Sequence, residues 1–139
     1  MVLDCQSLEQ DKEAQMIKKI LIIEDDPNML KLLKYNMEKH GYCVVAAESG
    51  KEGLRLARQE NVDLLIVDVL LPGMDGFTIC RMLRYDDNYK HLPIIALTGQ
   101  TSDKDKATGR EVGVNVYLTK PYKLEDLLEK IRGLLGETS

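Results

Sequence analysis

At 139 residues, 44% of them hydrophobic, the chain has the apolar material for one globular core and no room for a second. Its 19 basic and 23 acidic residues give a formal net charge of -4 with no basic run, which argues against direct nucleic-acid binding. No apolar run approaches the roughly 20 residues of a membrane span, and Cys5, Cys43 and Cys80 have neither the even count of a disulfide framework nor the spacing of a zinc site, so the expectation is a cytoplasmic protein with ordinarily packed thiols and no membrane contact.

Residues 1–18 stand outside any periodic pattern and are expected to form an amino-terminal extension without fixed structure; they carry acids where a signal peptide needs a basic start. The first strand is "ILIIE" (20–24). It is followed by "PNMLKLLKYNMEKHG", a helix with Leu30, Leu33 and Met37 on one face, Pro27 in its first turn and Gly41 as its stop. Next come a strand "YCVVAA" (42–47) and the helix "SGKEGLRLARQEN" with Ser49 as its N-cap. A third strand, "DLLIVD" (63–68), leads into the helix "GFTICRMLRYDD", for which Asp75 and Gly76 supply the turn and the start. The fourth strand, "PIIALT" (93–98), precedes the weakest helix, "SDKDKATGREVG", which has almost no apolar residues beyond Ala107 and Val112. The fifth, "VNVYLT" (114–119), precedes "KLEDLLEKIRGLL", strongly amphipathic through Leu124, Leu127, Leu128, Ile131 and Leu135.

Strands alternating with helices, several of them apolar throughout, describe βαβ units around a parallel sheet covered on both faces. In such a doubly wound sandwich the ligand site lies at the carboxyl ends of the strands. The residues that follow the strands are Glu24, Asp25 and Asp26 after the first, Asp68 after the third, Thr98 after the fourth and Lys120 after the fifth. If the sheet order is 2-1-3-4-5, the first and third strands are neighbours and their acids share one pocket. Crowded carboxylates need a cation, and an oxygen-only set with no His or Cys favours Mg²⁺. A hydroxyl from Thr98 and a positive charge from Lys120 suit the oxygens of a phosphoryl group, which leaves Asp68 as the nucleophile. Asp26, one step further on, reads as the start of the first helix.

In "KKILIIEDDP", "LLIVDVLLPGMDG", "IIALTG" and "VYLTKP" the chain closely resembles the receiver domain of bacterial two-component response regulators, over about residues 18–135. The resemblance implies a flavodoxin-like α/β fold: a five-stranded parallel sheet, order 2-1-3-4-5, with five helices and a receiver domain spanning 19–136. It implies Asp68 as phosphoacceptor, Asp25 as a direct Mg²⁺ ligand, Glu24 acting through metal-bound water, and the backbone carbonyl of Leu70 as a further ligand. Thr98 and Lys120 would bind phosphoryl oxygens, Tyr117 would be the aromatic that moves with Thr98, Gly99 would leave the donor a path, and Lys120–Pro121 would be cis. A sensor histidine kinase or histidine phosphotransfer protein would supply the phosphoryl group, and a downstream protein target would read the face built from helix 4, strand 5 and helix 5. The module would assist its own phosphorylation and dephosphorylation rather than turn over a substrate as an enzyme.

No effector domain follows the last helix, so the expectation is a single-domain regulator. Asn115 and Val116 stand where winged-helix relatives often carry an acidic pair, which points to a monomer or weak dimer. Leu70 and Gln100 flank the site, and no acid or amide is placed to align water from the side of Leu70, so a fairly long-lived phosphoform is expected. Three alternatives share parts of this logic. A haloacid-dehalogenase-like phosphatase would carry its nucleophile on the first strand in a DxD pattern, where this chain has "EDD". An FMN-binding flavodoxin would need a Ser/Thr- and Gly-rich loop after strand 1. A phosphorylation-independent docking module would typically lack one of the acids, the acceptor or the lysine.

Overall fold

A computed structural model describes residues 17–69, 71, 75–99 and 103–137. Five strands, β1 (Lys19–Ile23), β2 (Cys43–Ala47), β3 (Leu64–Asp68), β4 (Ile94–Thr98) and β5 (Val116–Thr119), form one sheet in the order β2-β1-β3-β4-β5. All four pairings are parallel. Each crossover is a helix: α1 (Pro27–Lys39), α2 (Gly50–Gln59), α3 (Gly76–Arg84) and α4 (Asp103–Val112), with α5 (Leu124–Leu135) closing the chain of elements. Among the described residues the expected strand order and the five expected helices are both present.

β1, β3 and β4 are buried along their whole length, as unbroken apolar strands should be when helices cover both faces. Alternate side chains divide them between two cores. Ile20, Ile22, Leu64 and Ile66 pack with Leu33, Met37, Leu127 and Ile131 of α1 and α5. Leu21, Ile23, Leu65 and Val67 pack with residues of α2, α3 and α4, among them Leu54, Ile79 and Val112.

The helix starts read from the sequence are capped as expected. Asp26 Oδ1 accepts from the Asn28 amide at 2.9 Å, Ser49 Oγ from that of Glu52 at 3.2 Å, and Asp75 Oδ1 from that of Thr78 at 2.9 Å. β1 starts one residue earlier than the sequence pattern suggests and ends before Glu24, whereas the other four strands start one or two residues later. At β5 the reason is Asn115, whose Oδ1 accepts from the Ile94 amide at 2.8 Å and from Arg84 Nη2 at 3.1 Å, so the side chain takes over where the ladder would begin. The thiol expectation needs correction at one position: Cys43 is disulfide-bonded, a pairing that residue spacing alone does not disclose. Cys80 is a free, buried thiol whose pKa burial pushes up to about 12. Among the described residues no helix is long and apolar enough to cross a membrane.

Arg84, at the end of α3, ties down the corner between α4 and β5. Its Nη2 and Nε donate to the Gly113 carbonyl at 2.7 and 3.2 Å, and its Nη1 donates to that of Tyr89 at 3.1 Å. Replacing Arg84 by Met keeps the aliphatic stem but leaves these oxygens without the guanidinium. The expected cost is about 2 kcal/mol, read from a shift of the urea midpoint at unchanged slope.

Candidate functional site

Every acid and base singled out in the sequence sits where a strand leaves the sheet. The Glu24 amide still donates to Ala47 O at 3.0 Å, so its side chain is held at the end of β1 and is buried, at 3% exposure. Asp25, one residue on, is exposed. Asp68 is the last residue of β3 and Thr98 the last of β4, both buried. The Lys120 amide donates to the Thr98 carbonyl at 2.7 Å, which fixes where the lysine begins. Its Nζ reaches back to Asp68 Oδ2 at 3.0 Å and lies 3.8 Å from Glu24 Oε2.

Carboxylate oxygens of Glu24, Asp25 and Asp68 all lie within 4.8 Å of one another. Burial, followed by the hydrogen bond and charge of Asp68, pushes the Glu24 carboxyl up to about 8. For Lys120, burial opposes the charged form, but the hydrogen bond to Asp68 and the charges of Glu24 and Asp68 outweigh it and raise its pKa. The same acids reach Tyr122, whose phenol is pushed up to about 12, mainly by burial and then by Glu24 and Asp68. Glu24 Oε2 is buried and has no hydrogen-bond partner. A buried, unsatisfied carboxylate oxygen beside two further acids, with no soft donor among them, fits a hard divalent cation such as Mg²⁺.

The loop after Asp68 folds back on it. The Gly76 amide donates to Val69 O at 2.9 Å, and a Cβ at Gly76 would stand 2.6 Å from the Asp68 carbonyl oxygen. Among the described residues a Cβ at Gly99 would meet nothing within 4 Å. Lys120–Pro121 is cis, as expected. Leu70 and Gln100, to which a ligand carbonyl and an influence on phosphoform lifetime were assigned, lie outside the described residues, as do residues 1–16 of the amino-terminal extension.

Two features escaped the sequence reading. An apolar groove of about 460 Å³ runs from Lys120 past Pro121 and Tyr122 to Met29, Leu32 and Leu33 of α1. Leu32 is 54% exposed there, an unusual place for a leucine on a helix whose inner face is already filled by Leu30, Leu33 and Met37. The other is Phe77, which lies against Tyr117. Leu32 was visible as an apolar residue off the buried stripe, whereas nothing local marks Phe77.

Residues 20–132 match the family model for the response regulator receiver domain, and the chain belongs to that family. It is 39% identical to Protein PilH of Pseudomonas aeruginosa over 118 residues, which cover 85% of this chain and 98% of PilH. It is 42% identical to RpaA, a DNA-binding dual master transcriptional regulator of Synechocystis, over 86% of this chain but only 50% of RpaA. The chain thus spans about half the length of several curated relatives it matches. Among solved structures, the chemotaxis protein CheY4 of Vibrio cholerae superposes with a TM-score of 0.82 at 33% identity, covering 86% of this chain and 99% of that one. The receiver domain of the sensor histidine kinase PA1611 of Pseudomonas aeruginosa, solved with a magnesium ion in its active-site cleft, gives 0.80 at 30% identity over 87% and 99%.

Proposed function

We propose that Asp68 accepts a phosphoryl group and that the chain works as the receiver of a two-component phosphorelay. The observation that carries this reading is the 3.0 Å contact between Lys120 Nζ and Asp68 Oδ2 inside a cluster of three carboxylates. A carboxylate oxygen of Asp68 attacks phosphorus, the bond to the donor nitrogen breaks, and the donor imidazole leaves with a proton. Lys120 and the Thr98 hydroxyl neutralise the phosphoryl oxygens as charge moves onto them. Glu24, Asp25 and Asp68, with the Leu70 backbone carbonyl, would hold Mg²⁺. When bound, the ion supplies the positive charge that lets an anionic carboxylate meet an anionic phosphoryl group.

The donor on this reading is a sensor histidine kinase or a histidine phosphotransfer protein, which can bury the groove beside Lys120 while presenting its histidine at Asp68. Phosphorylation replaces the single carboxylate charge of Asp68 by an acyl phosphate carrying about two negative charges and three further acceptor oxygens, which draw on Thr98 and Lys120 and shift Tyr117 and the α4–β5–α5 face toward a form that a protein target reads. The module, spanning 19–136, assists its own phosphorylation and dephosphorylation. It acts in the cytoplasm as a monomer or weak dimer and makes no direct nucleic-acid or membrane contact. Neither a haloacid-dehalogenase-like phosphatase nor a docking module without phosphorylation is favoured, because the family match comes with acceptor, acids and lysine all in place.

Incubation with a small phosphodonor and Mg²⁺, followed by intact mass, tests the reading. One base-labile phosphoryl adduct is expected in the wild type and none in Asp68→Asn. An adduct that persists in the variant refutes the assignment.

A further inference from the structure

Tyr117 has a neighbour that places α3 in the switch. Val116 and Leu118 join the core on the α1 and α5 side of the sheet, so Tyr117 between them projects to the opposite side. Phe77, in the first turn of α3, meets it there with ring centroids 6.1 Å apart and planes tilted by 50°. Both residues are half-buried. The turn that carries Phe77 is held firmly, because Asp75 caps it through the Thr78 amide at 2.9 Å and the Gly76 amide donates to Val69 O at 2.9 Å. Gly76 is packed so closely on the Asp68 carbonyl that a Cβ would not fit between them.

Two separate routes therefore run from Asp68 to one pair of rings. The first passes through the Asp68 backbone, Gly76 and the start of α3 to Phe77. The second passes from the Asp68 carboxylate through Lys120, 3.0 Å away, and back three residues along β5 to Tyr117.

We propose that Phe77 is a positioning residue of the switch, whose ring holds Tyr117 in its present orientation and makes the Phe77–Tyr117 contact a readout of the state of Asp68. The inference rests on Asp68 being the acceptor. A tilted aromatic pair biases a two-state equilibrium by about two- to tenfold, enough to set how often Tyr117 leaves this position. Phe77 touches neither the acidic cluster nor the transferred group, so its effect passes through Tyr117.

The chain contains a single phenylalanine, so para-fluorophenylalanine incorporated into the full chain gives one fluorine resonance, that of position 77. The labelled protein is treated with a small phosphodonor and Mg²⁺ while intact mass follows the adduct. The resonance is expected to shift in step with the adduct and to lose most of the shift in Tyr117→Leu. In unlabelled protein, Phe77→Leu is expected to change the phosphorylation rate by about three- to tenfold, and the double variant to add nothing beyond Tyr117→Leu alone. The proposal is overturned if the adduct forms fully while the resonance stays put, or if the shift is the same in Tyr117→Leu. An unchanged rate in Phe77→Leu also overturns it, and that arm stands even if Tyr117→Leu does not fold. Absence of any adduct in the wild type would instead remove the acceptor reading beneath it.

Discussion

Replacing Lys120 by Met is expected to slow phosphorylation of Asp68 by about a hundredfold or more while leaving Mg²⁺ binding at least as tight. The two effects separate because the lysine plays against the cation in one process and beside it in the other. In the transfer step its ammonium, 3.0 Å from Asp68 Oδ2, supplies positive charge to oxygens that gain negative charge, and removing one such preorganised group commonly costs about a hundred- to a thousandfold in rate. In metal binding the same ammonium competes for the carboxylates, lying 3.8 Å from Glu24 Oε2 as well. Methionine keeps most of the stem's volume without the charge, so packing against Tyr122 is disturbed little. Adduct formation timed by intact mass and Mg²⁺ titration by calorimetry report the two quantities independently. Equal losses in both would show that the lysine acts by shaping the pocket rather than by its charge.

Gly76→Ala is the second large effect, expected to destabilise the fold by about 2 kcal/mol and to slow phosphorylation by about tenfold through the position of Asp68. Space rather than backbone conformation sets this cost, since the described glycines with positive φ are Gly41, Gly113 and Gly136. A methyl at position 76 would stand 2.6 Å from the Asp68 carbonyl oxygen and 2.9 Å from Val69 Cα, and both are backbone atoms that no rotamer change can move aside. Either β3 gives way at its last residue or the first turn of α3 lifts. Gly133→Ala, in the last turn of α5 with no described atom within 4 Å of its Cβ, is the matched control and is expected to stabilise by up to about 0.5–1 kcal/mol through helix propensity. Urea midpoints for the two variants should therefore move in opposite directions.

The ease with which the site was read from sequence follows from its architecture. Each of its residues ends a strand or follows within two residues of its end, and parallel topology forces all such positions to one edge, so Glu24, Asp25, Asp68, Thr98 and Lys120 could be gathered without any distance being known. The division of labour within the cluster was less accessible, because the burial of Glu24 against the exposure of its neighbour Asp25 depends on how the chain turns away after the Ala47 contact. Helix ends were legible where a side chain does the capping, as at Asp26, Ser49 and Asp75. The start of β5 was not, since Asn115 is diverted by Arg84, more than 30 positions away in sequence. Phe77 shares that character: its partner Tyr117 is set by tertiary approach, which leaves no local pattern.

On the proposed function, the side chain of Asp68 carries the phosphoryl group. An acyl phosphate, unlike a phosphoester, is cleaved reductively by borohydride to an alcohol, so treatment of the phosphorylated chain with borotritide followed by peptide mapping marks the acceptor itself. Label is expected at position 68 alone, dependent on Mg²⁺ and absent from Asp68→Asn. Label at Asp25, Glu24 or any other residue, or an adduct that borohydride does not touch, would contradict it.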